Sequence, residues 1–350
     1  MNWAKINARR PVPGAGVFVS MTRKCPLHCA HCSTNSTMSS PQADDDYYRQ
    51  FIGSFTQEEH PEYVWFTGGE PLLRHRLVHE LATSCHALGA TTVLTTGLYF
   101  GKGGSIPKPF WPALRATDFI TVSIDSWHEN EVDRKSSFSC FDQMLDQGLH
   151  VGIQATGRDG SDPYLLTLLD EIEARFGERI GVYVNLLKPT GRGQNLMEPW
   201  QLSDDALSTG RPRPQGCGGL SWPVFGFSGP VTNACCNQEA VDESPSHLSL
   251  QTDWPSIVRS LREDSVLRVI SVLGPRVLGY ELDGTSEPAL DYCGKCRSLS
   301  GRDDLTGAAQ RITSRPSWEV FESMSKEMRQ EMGDPTLGHK EFAEHGKRGV

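Results

Sequence analysis

Three cysteines stand within eight residues near the start of the 350-residue chain, in the run Cys25-Pro-Leu-His-Cys29-Ala-His-Cys32. Thiolates are soft ligands that favour iron–sulfur clusters or zinc, so a chain that loops around one centre can place all three on the same metal site. A structural zinc site takes four protein ligands, whereas a four-iron cube held by three thiolates keeps one iron open to the amino and carboxylate groups of a ligand. The spacing leaves open a cluster, a zinc site completed by His28 or His31, and plain buried cysteines.

A second motif, Gly68-Gly69-Glu70-Pro71, follows a predicted strand over Tyr63–Thr67. Glycine lets the backbone approach a ligand closely, and the carboxyl end of a strand is where βα barrels build their sites. Taken alone, the motif favours a plain turn. Because it follows the cysteines on the next βα unit, the two motifs together are more informative than either one.

The pair of motifs resembles the radical S-adenosylmethionine (radical SAM) superfamily. The CxxxCxxC spacing is similar to that family's cluster motif, and the glycine turn is similar to the one that receives the methionine amino group of SAM. The resemblance implies a [4Fe–4S] cluster on the three cysteines, with SAM bound at Thr67, Gly68, Gly69 and Glu70. It also implies the family's chemistry, in which the cluster reduces SAM and a 5′-deoxyadenosyl radical abstracts a substrate hydrogen atom. The residue before the third cysteine is often aromatic in the family, and here it is His31.

The same resemblance assigns cofactor contacts to other strand ends. Ser123 and Asp125 stand where the family often holds the ribose of SAM, and Gln154 is expected to face the mouth of the barrel. Arg192, in the segment after the sixth strand, is expected to reach a carboxylate. The alternative for each is a hydrogen-bonded polar group at a strand end.

Further cysteines lie in the C-terminal third of the chain. Four thiolates close either a structural zinc site or a fully ligated cluster, and spacing does not separate the two. A lone cysteine, a glycine-turn hairpin and a distal CxxC together resemble the twitch extension of radical SAM enzymes, a shortened SPASM domain. That resemblance implies an auxiliary [4Fe–4S] cluster on Cys217, Cys235, Cys293 and Cys296.

The adjacent cysteines Cys235 and Cys236 pose a choice, because neighbouring residues of an extended segment point to opposite faces. One is expected to bind iron, and spacing does not decide which. The other is either buried or a hydrogen-atom donor to a substrate radical, and Cys236 is the candidate for that catalytic role. Cys85 and Cys140 stand on helix-like stretches and are expected in the core.

These motifs need elements that bring strand ends together. From residue 16 to about 187, runs rich in β-branched and aromatic residues alternate with amphipathic stretches. The predicted strands are Val17–Met21, Tyr63–Thr67, Thr92–Thr96, Phe119–Ile124, His150–Thr156 and Gly181–Leu187. The predicted helices between them are Asp44–Phe55, Leu73–Leu88, Pro109–Ala116, Phe138–Gly148 and Tyr164–Phe176. Six βα repeats with right-handed crossovers predict an α/β fold, a partial (β/α)6 TIM-like barrel.

The remaining chain is expected to add a small C-terminal domain to this barrel. The predicted divisions are an N-terminal segment, the barrel, an auxiliary-cluster region and a C-terminal helix with a flexible polar tail, over residues 1–15, 16–200, 201–300 and 301–350. Residues 189–234 are rich in Gly and Pro, and their Trp residues are expected to be exposed. Helices are predicted near Trp254–Leu267 and Ser317–Met332.

Composition restricts the partners. The chain is 37% hydrophobic and 22% charged with a formal net charge of −9, which is ordinary for a globular enzyme and argues against a nucleic-acid partner. The basic stretches Lys5–Arg10 and Arg211–Pro214 are short and are expected to be solvated. The sequence has no apolar run long enough for a membrane span and no secretory signal, so we expect a cytoplasmic protein without a membrane partner.

The step after hydrogen abstraction determines the reaction. An auxiliary cluster that accepts a second electron gives oxidation, by dehydrogenation or bond formation, whereas a cysteine donor gives epimerisation. The motif begins at Cys25, which leaves no room for the leader-binding module of many peptide-modifying relatives, so we expect a small polar substrate of the sugar or aminocyclitol type from natural-product biosynthesis. The alternatives are a maturase of a ribosomally made precursor peptide and a non-catalytic Fe–S or zinc protein. A one-electron reductase of the flavodoxin or ferredoxin type is the expected partner.

Overall fold

A computed structural model describes residues 2–158, 161–187, 190–197, 214–226, 232–235, 246–284 and 292–332. Its centre is one nine-stranded sheet with the order β6-β5-β4-β3-β2-β1-β7-β8-β9. The strands are β1 (Gly16–Ser20), β2 (Tyr63–Thr67), β3 (Thr91–Thr96), β4 (Phe119–Ser123), β5 (Val151–Gly157), β6 (Ile180–Leu186), β7 (Val224–Phe225), β8 (Thr232–Asn233) and β9 (Ser249–Leu250). Neighbours from β6 to β7 are parallel, and β7, β8 and β9 pair antiparallel. This is the predicted α/β architecture of a partial TIM-like barrel, and the first six strands begin and end within one residue of their predicted bounds.

The helices cover the outer face of the sheet and continue into the C-terminal part. They are α1 (Trp3–Arg9), α2 (Asp45–Ile52), α3 (His75–Ala87), α4 (Trp111–Arg115), α5 (Arg134–Asp146), α6 (Pro163–Phe176), α7 (Trp254–Glu263), α8 (Ser265–Val272), α9 (Pro275–Asp283), α10 (Tyr292–Ser298), α11 (Leu305–Thr313) and α12 (Trp318–Met332). The single helix predicted over Trp254–Leu267 is two helices, because Asp264 is extended and its carboxylate accepts the backbone N–H groups that begin α8. Within the described residues, no helix has the length and apolarity needed to cross a bilayer.

Two apolar cores lie on opposite faces of the sheet, because successive strand residues point to opposite sides. The larger core packs the outer face of the strands against the helices, and it contains the predicted core residues Cys85 and Cys140. The smaller core fills the inside of the barrel with aromatic rings, among them Trp65 and Phe119.

The N-terminal residues are a structural part of the barrel and not a loose segment. Helix α1 places Trp3 among the inner rings, where its indole N–H donates to the carbonyl of Gly181 at 3.1 Å. Two expectations about burial are wrong. Trp222 is fully buried, and Arg10 is only 4% exposed because its guanidinium lies over the rings of Phe18 and Trp222. A long aromatic or guanidinium side chain near a barrel end is buried by the barrel's own closure, which local composition does not reveal.

The chain after residue 214 continues the same sheet. Strand β7 pairs in parallel with β1, with Phe18 opposite Val224 and Val19 opposite Phe225. The proposed border at residue 200 and the polar tail after residue 332 lie outside the described residues. The C-terminal part is therefore joined to the barrel edge by backbone hydrogen bonds, and the four-part division of the chain stays a prediction.

Candidate active site

A cavity of about 400 Å³ lies at the carboxyl ends of the barrel strands. Its lining includes the three N-terminal cysteines and every predicted cofactor residue except Arg192. These residues are Cys25, Cys29, Cys32, Thr67, Gly68, Gly69, Glu70, Ser123, Asp125 and Gln154. Residues separated by more than a hundred positions in sequence thus meet in one space, as expected for parallel strands whose carboxyl ends share an edge.

The thiols in this cavity are largely buried, which alters their acid–base chemistry. Burial raises the pKa of Cys25 to about 12 and also raises the pKa of Cys29, and the neighbouring thiols add to both shifts. A buried thiolate therefore needs the positive charge of a metal beside it. Among the described side chains, no three His, Cys, Asp or Glu converge on one ion position. The three thiols line one cavity, as the ligand set of a cluster would.

The glycine turn holds the beginning of the cysteine loop, which we define as residues 22–37. The Gly69 N–H donates to the carbonyl of Thr22 at 2.6 Å, and the Glu70 N–H donates to the carbonyl of Lys24 at 2.8 Å. A Cβ atom on Gly68 would lie 2.3 Å from the Thr22 oxygen, and one on Gly69 would lie 2.3 Å from the Lys24 oxygen. The two glycines are therefore required by the approach of two backbone segments, in addition to any contact with a ligand.

The carboxylate of Glu70 is fully buried and joins the ends of β2 and β3. Its oxygens accept hydrogen bonds from the backbone N–H groups of Leu72 and Gly97 and from the hydroxyl of Thr96, all between 2.9 and 3.0 Å. Burial raises the pKa of Glu70 to about 7, although these hydrogen bonds oppose the shift. Because its oxygens are occupied within the protein, Glu70 organises the turn beside the cavity through its side chain.

Arg192 lies against the cysteine loop, and its expected contact with a carboxylate stays a prediction. Its Nε donates to the carbonyl of Cys29 and its Nη1 to the carbonyl of Ser36, each at 3.0 Å, and its backbone N–H donates to the carbonyl of Cys32 at 2.9 Å. The preceding Gly191 has a φ of +55°, and a Cβ there would lie 2.3 Å from the Cys32 oxygen. The segment after β6 thus packs directly on the cysteine loop, and Arg192 binds backbone carbonyls of that loop instead of lining the cavity.

His31 and Asp125 form a pair across the cavity. Their Nε2 and Oδ2 atoms are 3.1 Å apart, and the imidazole packs against Trp127 with ring centroids 5.1 Å apart. The other oxygen of Asp125 accepts the backbone N–H groups of Trp127 and His128 at 3.1 and 2.8 Å. His31 is thus engaged with Asp125, whereas His28 is exposed.

Sequence reasoning missed a polar chain on the inner face of the barrel. Trp65 donates from Nε1 to the hydroxyl of Thr95 at 2.7 Å, and the hydroxyls of Thr95 and Thr121 are 2.8 Å apart. Gln154 donates to the Thr121 hydroxyl at 3.4 Å. Asn185, two residues after the inward-facing Tyr183, also lines the cavity. Counting two residues back from Ser123 along β4 would have found Thr121, whereas Trp65, Thr95 and Asn185 lie on other strands.

The C-terminal cysteines form a second group. Burial raises the pKa of Cys296, and the Cys217 and Cys293 thiols raise it further through their charge. Cys217 is held by a hydrogen bond from its N–H to the carbonyl of Ile270 in α8, at 3.0 Å. Cys235 lies at the end of β8 and is half-buried, whereas Cys236 lies outside the described residues.

Comparison with known proteins identifies the part of the barrel from β1 to β5. Residues 19–154 match the family model of the radical SAM superfamily, and this segment contains the cysteine loop and the glycine turn. This part of the chain belongs to the radical SAM superfamily. The resemblance of the two motifs to that family is thereby confirmed. The match ends before Cys217, so it does not bear on the second group of cysteines.

Two curated relatives and one solved structure show how far the likeness extends. The putative peptide biosynthesis protein YydG of Bacillus subtilis (strain 168) is 22% identical over 115 residues, which are 32% of this chain and 36% of YydG. The PqqA peptide cyclase of Methylobacterium sp. (strain 4-46) is 24% identical over 179 residues, 48% of this chain and 45% of the cyclase. The matched segments thus span less than half of either relative.

The solved structure of Streptococcus suis SuiB, bound to its precursor peptide SuiA, superposes with a TM-score of 0.53 at 13% identity. The superposition covers 82% of this chain and 76% of SuiB. At this identity the likeness shows a shared fold.

Proposed function

We propose that the protein is a radical SAM enzyme that binds a [4Fe–4S] cluster on Cys25, Cys29 and Cys32 and modifies a ribosomally made precursor peptide. When bound, the cluster and SAM supply a 5′-deoxyadenosyl radical, which takes a hydrogen atom from the substrate. The observation that carries the proposal is the single cavity in which these cysteines meet the glycine turn, Ser123 and Gln154.

The side chains of this protein hold the cysteine loop in place, offer polar groups to a ligand and exclude water from the cavity. The glycine turn and Arg192 hold the cysteine loop from two sides, so the thiols keep a fixed separation. Ser123 and Gln154 offer a hydroxyl and an amide to a ribose or a substrate group. Trp3, Trp65 and the rings around them close the far end of the barrel, which keeps water away from a reactive radical.

The names of the two curated relatives described above support a peptide substrate. YydG is described as a peptide biosynthesis protein, and the PqqA peptide cyclase acts on a peptide. A peptide is therefore the first candidate, whereas the sequence alone favoured a small polar molecule.

A small polar substrate of the sugar or aminocyclitol type is the second candidate. The inner face of the barrel favours it, because hydroxyl and amide groups of Thr95, Thr156 and Asn185 line the cavity beside Gln154. Such a set of donors and acceptors matches a polyhydroxylated ring.

We further propose an auxiliary [4Fe–4S] cluster on Cys217, Cys235, Cys293 and Cys296, which accepts the second electron of an oxidation. The proximity of the Cys217, Cys293 and Cys296 thiols supports this set. A one-electron reductase of the flavodoxin or ferredoxin type would deliver the first electron. If Cys236 instead returns a hydrogen atom, the product is an epimer.

The first experiment counts iron and sulfide in anaerobically reconstituted protein, with a Cys25/Cys29/Cys32→Ala variant beside the wild type. We expect about eight iron atoms per chain in the wild type and about four in the variant, one cube having been lost. About four iron atoms per chain in the wild type and none in the variant would contradict the proposed auxiliary cluster. Wild-type protein that forms no 5′-deoxyadenosine from SAM and dithionite would instead indicate a non-catalytic Fe–S protein.

The substrate is tested by co-expression with the short open reading frames that flank the gene, followed by mass spectrometry of each peptide. A peptide that loses two hydrogen atoms, or gains deuterium in heavy water after epimerisation, supports the first candidate. Unmodified peptides, together with faster 5′-deoxyadenosine formation when an aminocyclitol such as streptamine is added, would favour the second.

A further inference from the structure

A histidine lies near the auxiliary cysteines, just before β9. Strands β8 and β9 pair antiparallel, with Thr232 opposite Leu250 and Asn233 opposite Ser249. A hydrogen bond of 2.9 Å from the Ala234 N–H to the Leu248 carbonyl extends this pairing by one step. Cys235 follows the paired segment, and His247 precedes it within a short 3₁₀ turn, so the two residues lie at the same end of the β8–β9 pair.

The imidazole of His247 contacts a second auxiliary cysteine. Its Nε2 lies 3.8 Å from the Sγ of Cys296, within the reach of a hydrogen bond to sulfur. Its Nδ1 is buried and has no hydrogen-bond partner within the described part of the chain. The ring is thus held in a half-buried position beside Cys296, which itself lies next to Cys217 and Cys293.

We infer that His247 is a positioning residue of the auxiliary site, donating a hydrogen bond from Nε2 to the sulfur of Cys296 and thereby raising the reduction potential of the auxiliary cluster. This inference rests on the auxiliary cluster proposed above. Hydrogen bonds to cluster sulfurs stabilise the reduced, more negative state, and they are among the factors that set cluster potentials. An acceptor of the second electron needs such stabilisation, since it must take an electron from a substrate radical.

In this proposal His247 is a donor and not a ligand, because the four thiolates of the proposed set, that of Cys235 among them, already complete a cube. If His247 were a ligand, it would take the place of Cys235 on the cluster. Iron content after removal of the His247 or the Cys235 side chain distinguishes the donor from the ligand.

The test uses the full-length Cys25/Cys29/Cys32→Ala protein, in which only the auxiliary cluster is expected. Midpoint potentials are measured by redox titration with electron paramagnetic resonance, and iron is counted on the same samples. His247→Phe removes the donor, whereas His247→Gln keeps an N–H donor. His150→Phe is the matched control, because His150 is exposed and lies at the amino end of β5.

We expect about four iron atoms per chain in all three variants. The midpoint potential should be lower in His247→Phe, intermediate in His247→Gln and unchanged in the control. An unchanged potential in His247→Phe with its iron intact would overturn the inference. Loss of iron in both His247 variants but not in Cys235→Ala would overturn it too, since His247 would then be a ligand. If the Cys25/Cys29/Cys32→Ala protein itself holds no iron, the proposal of an auxiliary cluster is wrong, and the role inferred for His247 is lost with it.

Discussion

Arg192 donates a hydrogen bond from Nε to the backbone carbonyl of Cys29, at 3.0 Å, across 163 positions of sequence. With the bond from Nη1 to the Ser36 carbonyl, this side chain fixes the cysteine loop to the segment after β6. Hydrogen bonds from a charged group contribute about 2 kcal/mol each. Arg192 thus acts on the proposed cluster through the loop that carries its ligands.

We therefore expect Arg192→Met to lose iron faster than the wild type and to lower the free energy of unfolding by about 2 kcal/mol. Arg179→Met is the control, since Arg179 also donates to backbone carbonyls, those of Phe176 and Arg175, but on the segment that leads into β6. Iron release into a chelator, followed anaerobically, measures the effect. Equal rates of iron release from both variants would show that the contact of Arg192 with the cysteine loop does not by itself retain the iron.

A methyl group on the glycine turn should displace the cysteine loop. In Gly68→Ala the new Cβ would lie 2.3 Å from the Thr22 oxygen, and the φ of +137° disfavours any side chain. We expect a loss of about 2 kcal/mol or more in the free energy of unfolding and weak iron binding. Gly103→Ala is the control, because no atom lies within 4 Å of its Cβ position. Urea unfolding and iron content measure both, and a Gly68→Ala protein with wild-type iron would contradict the packing argument.

The buried Glu70 should make stability fall as the pH rises. Its pKa is raised from 4.5 to about 7 by burial, so the folded protein binds more protons than the unfolded chain between these values. The stabilisation is therefore complete below about pH 4.5 and lost as the pH rises through 7, by about 3 kcal/mol in all.

Glu70→Gln removes this titration. The variant also loses an acceptor for the Gly97 N–H, so it starts less stable, but the difference from the wild type should narrow between pH 5 and 7.5. Urea unfolding at several pH values measures this difference. A difference that stays constant across the range would mean that Glu70 does not titrate there.

The pair of His31 and Asp125 should show energetic coupling. Their side chains are 17% and 1% exposed, and the 3.1 Å contact joins the cysteine loop to the end of β4. A double-mutant cycle with His31→Ala and Asp125→Ala should give a coupling energy of about 1 kcal/mol in the free energy of unfolding. Strictly additive changes in the free energy of unfolding would show that each residue acts through other neighbours. For Asp125 these include the two backbone N–H groups that donate hydrogen bonds to its carboxylate.

The two groups of cysteines should have separable effects on catalysis. Cys29→Ala should abolish 5′-deoxyadenosine formation from SAM and dithionite, because Cys29 lines the cavity. Cys293→Ala should keep that reaction but yield no oxidised product, since it alters only the second group. Chromatography of the nucleoside and mass spectrometry of the product measure the two steps. A Cys29→Ala protein that lacks its cluster and still turns substrate over would contradict the mechanism.

The strands and their polar ends could be predicted because they are local patterns. Residues Phe119–Ser123 alternate between the inner and outer faces of the sheet and include β-branched side chains, which are typical of a strand. Ser123 stands at the carboxyl end of this strand, and the carboxyl ends of parallel strands face the site. The cysteines could be predicted as a group for a similar reason, since their spacing is short. The helix at Trp3–Arg9 could not, because its burial depends on the aromatic interior that the strands enclose.

The sequence by itself determined the βα order, the cysteine loop and the glycine turn, since each depends on residues within a few positions of one another. Tertiary structure alone decided what Arg192 and His247 contact. The Cys29 carbonyl is 163 residues from Arg192, and Cys296 is 49 residues from His247. Contacts over such separations depend on how the sheet closes and on how β9 pairs with β8, because a shift of one residue in strand pairing turns each side chain to the opposite face.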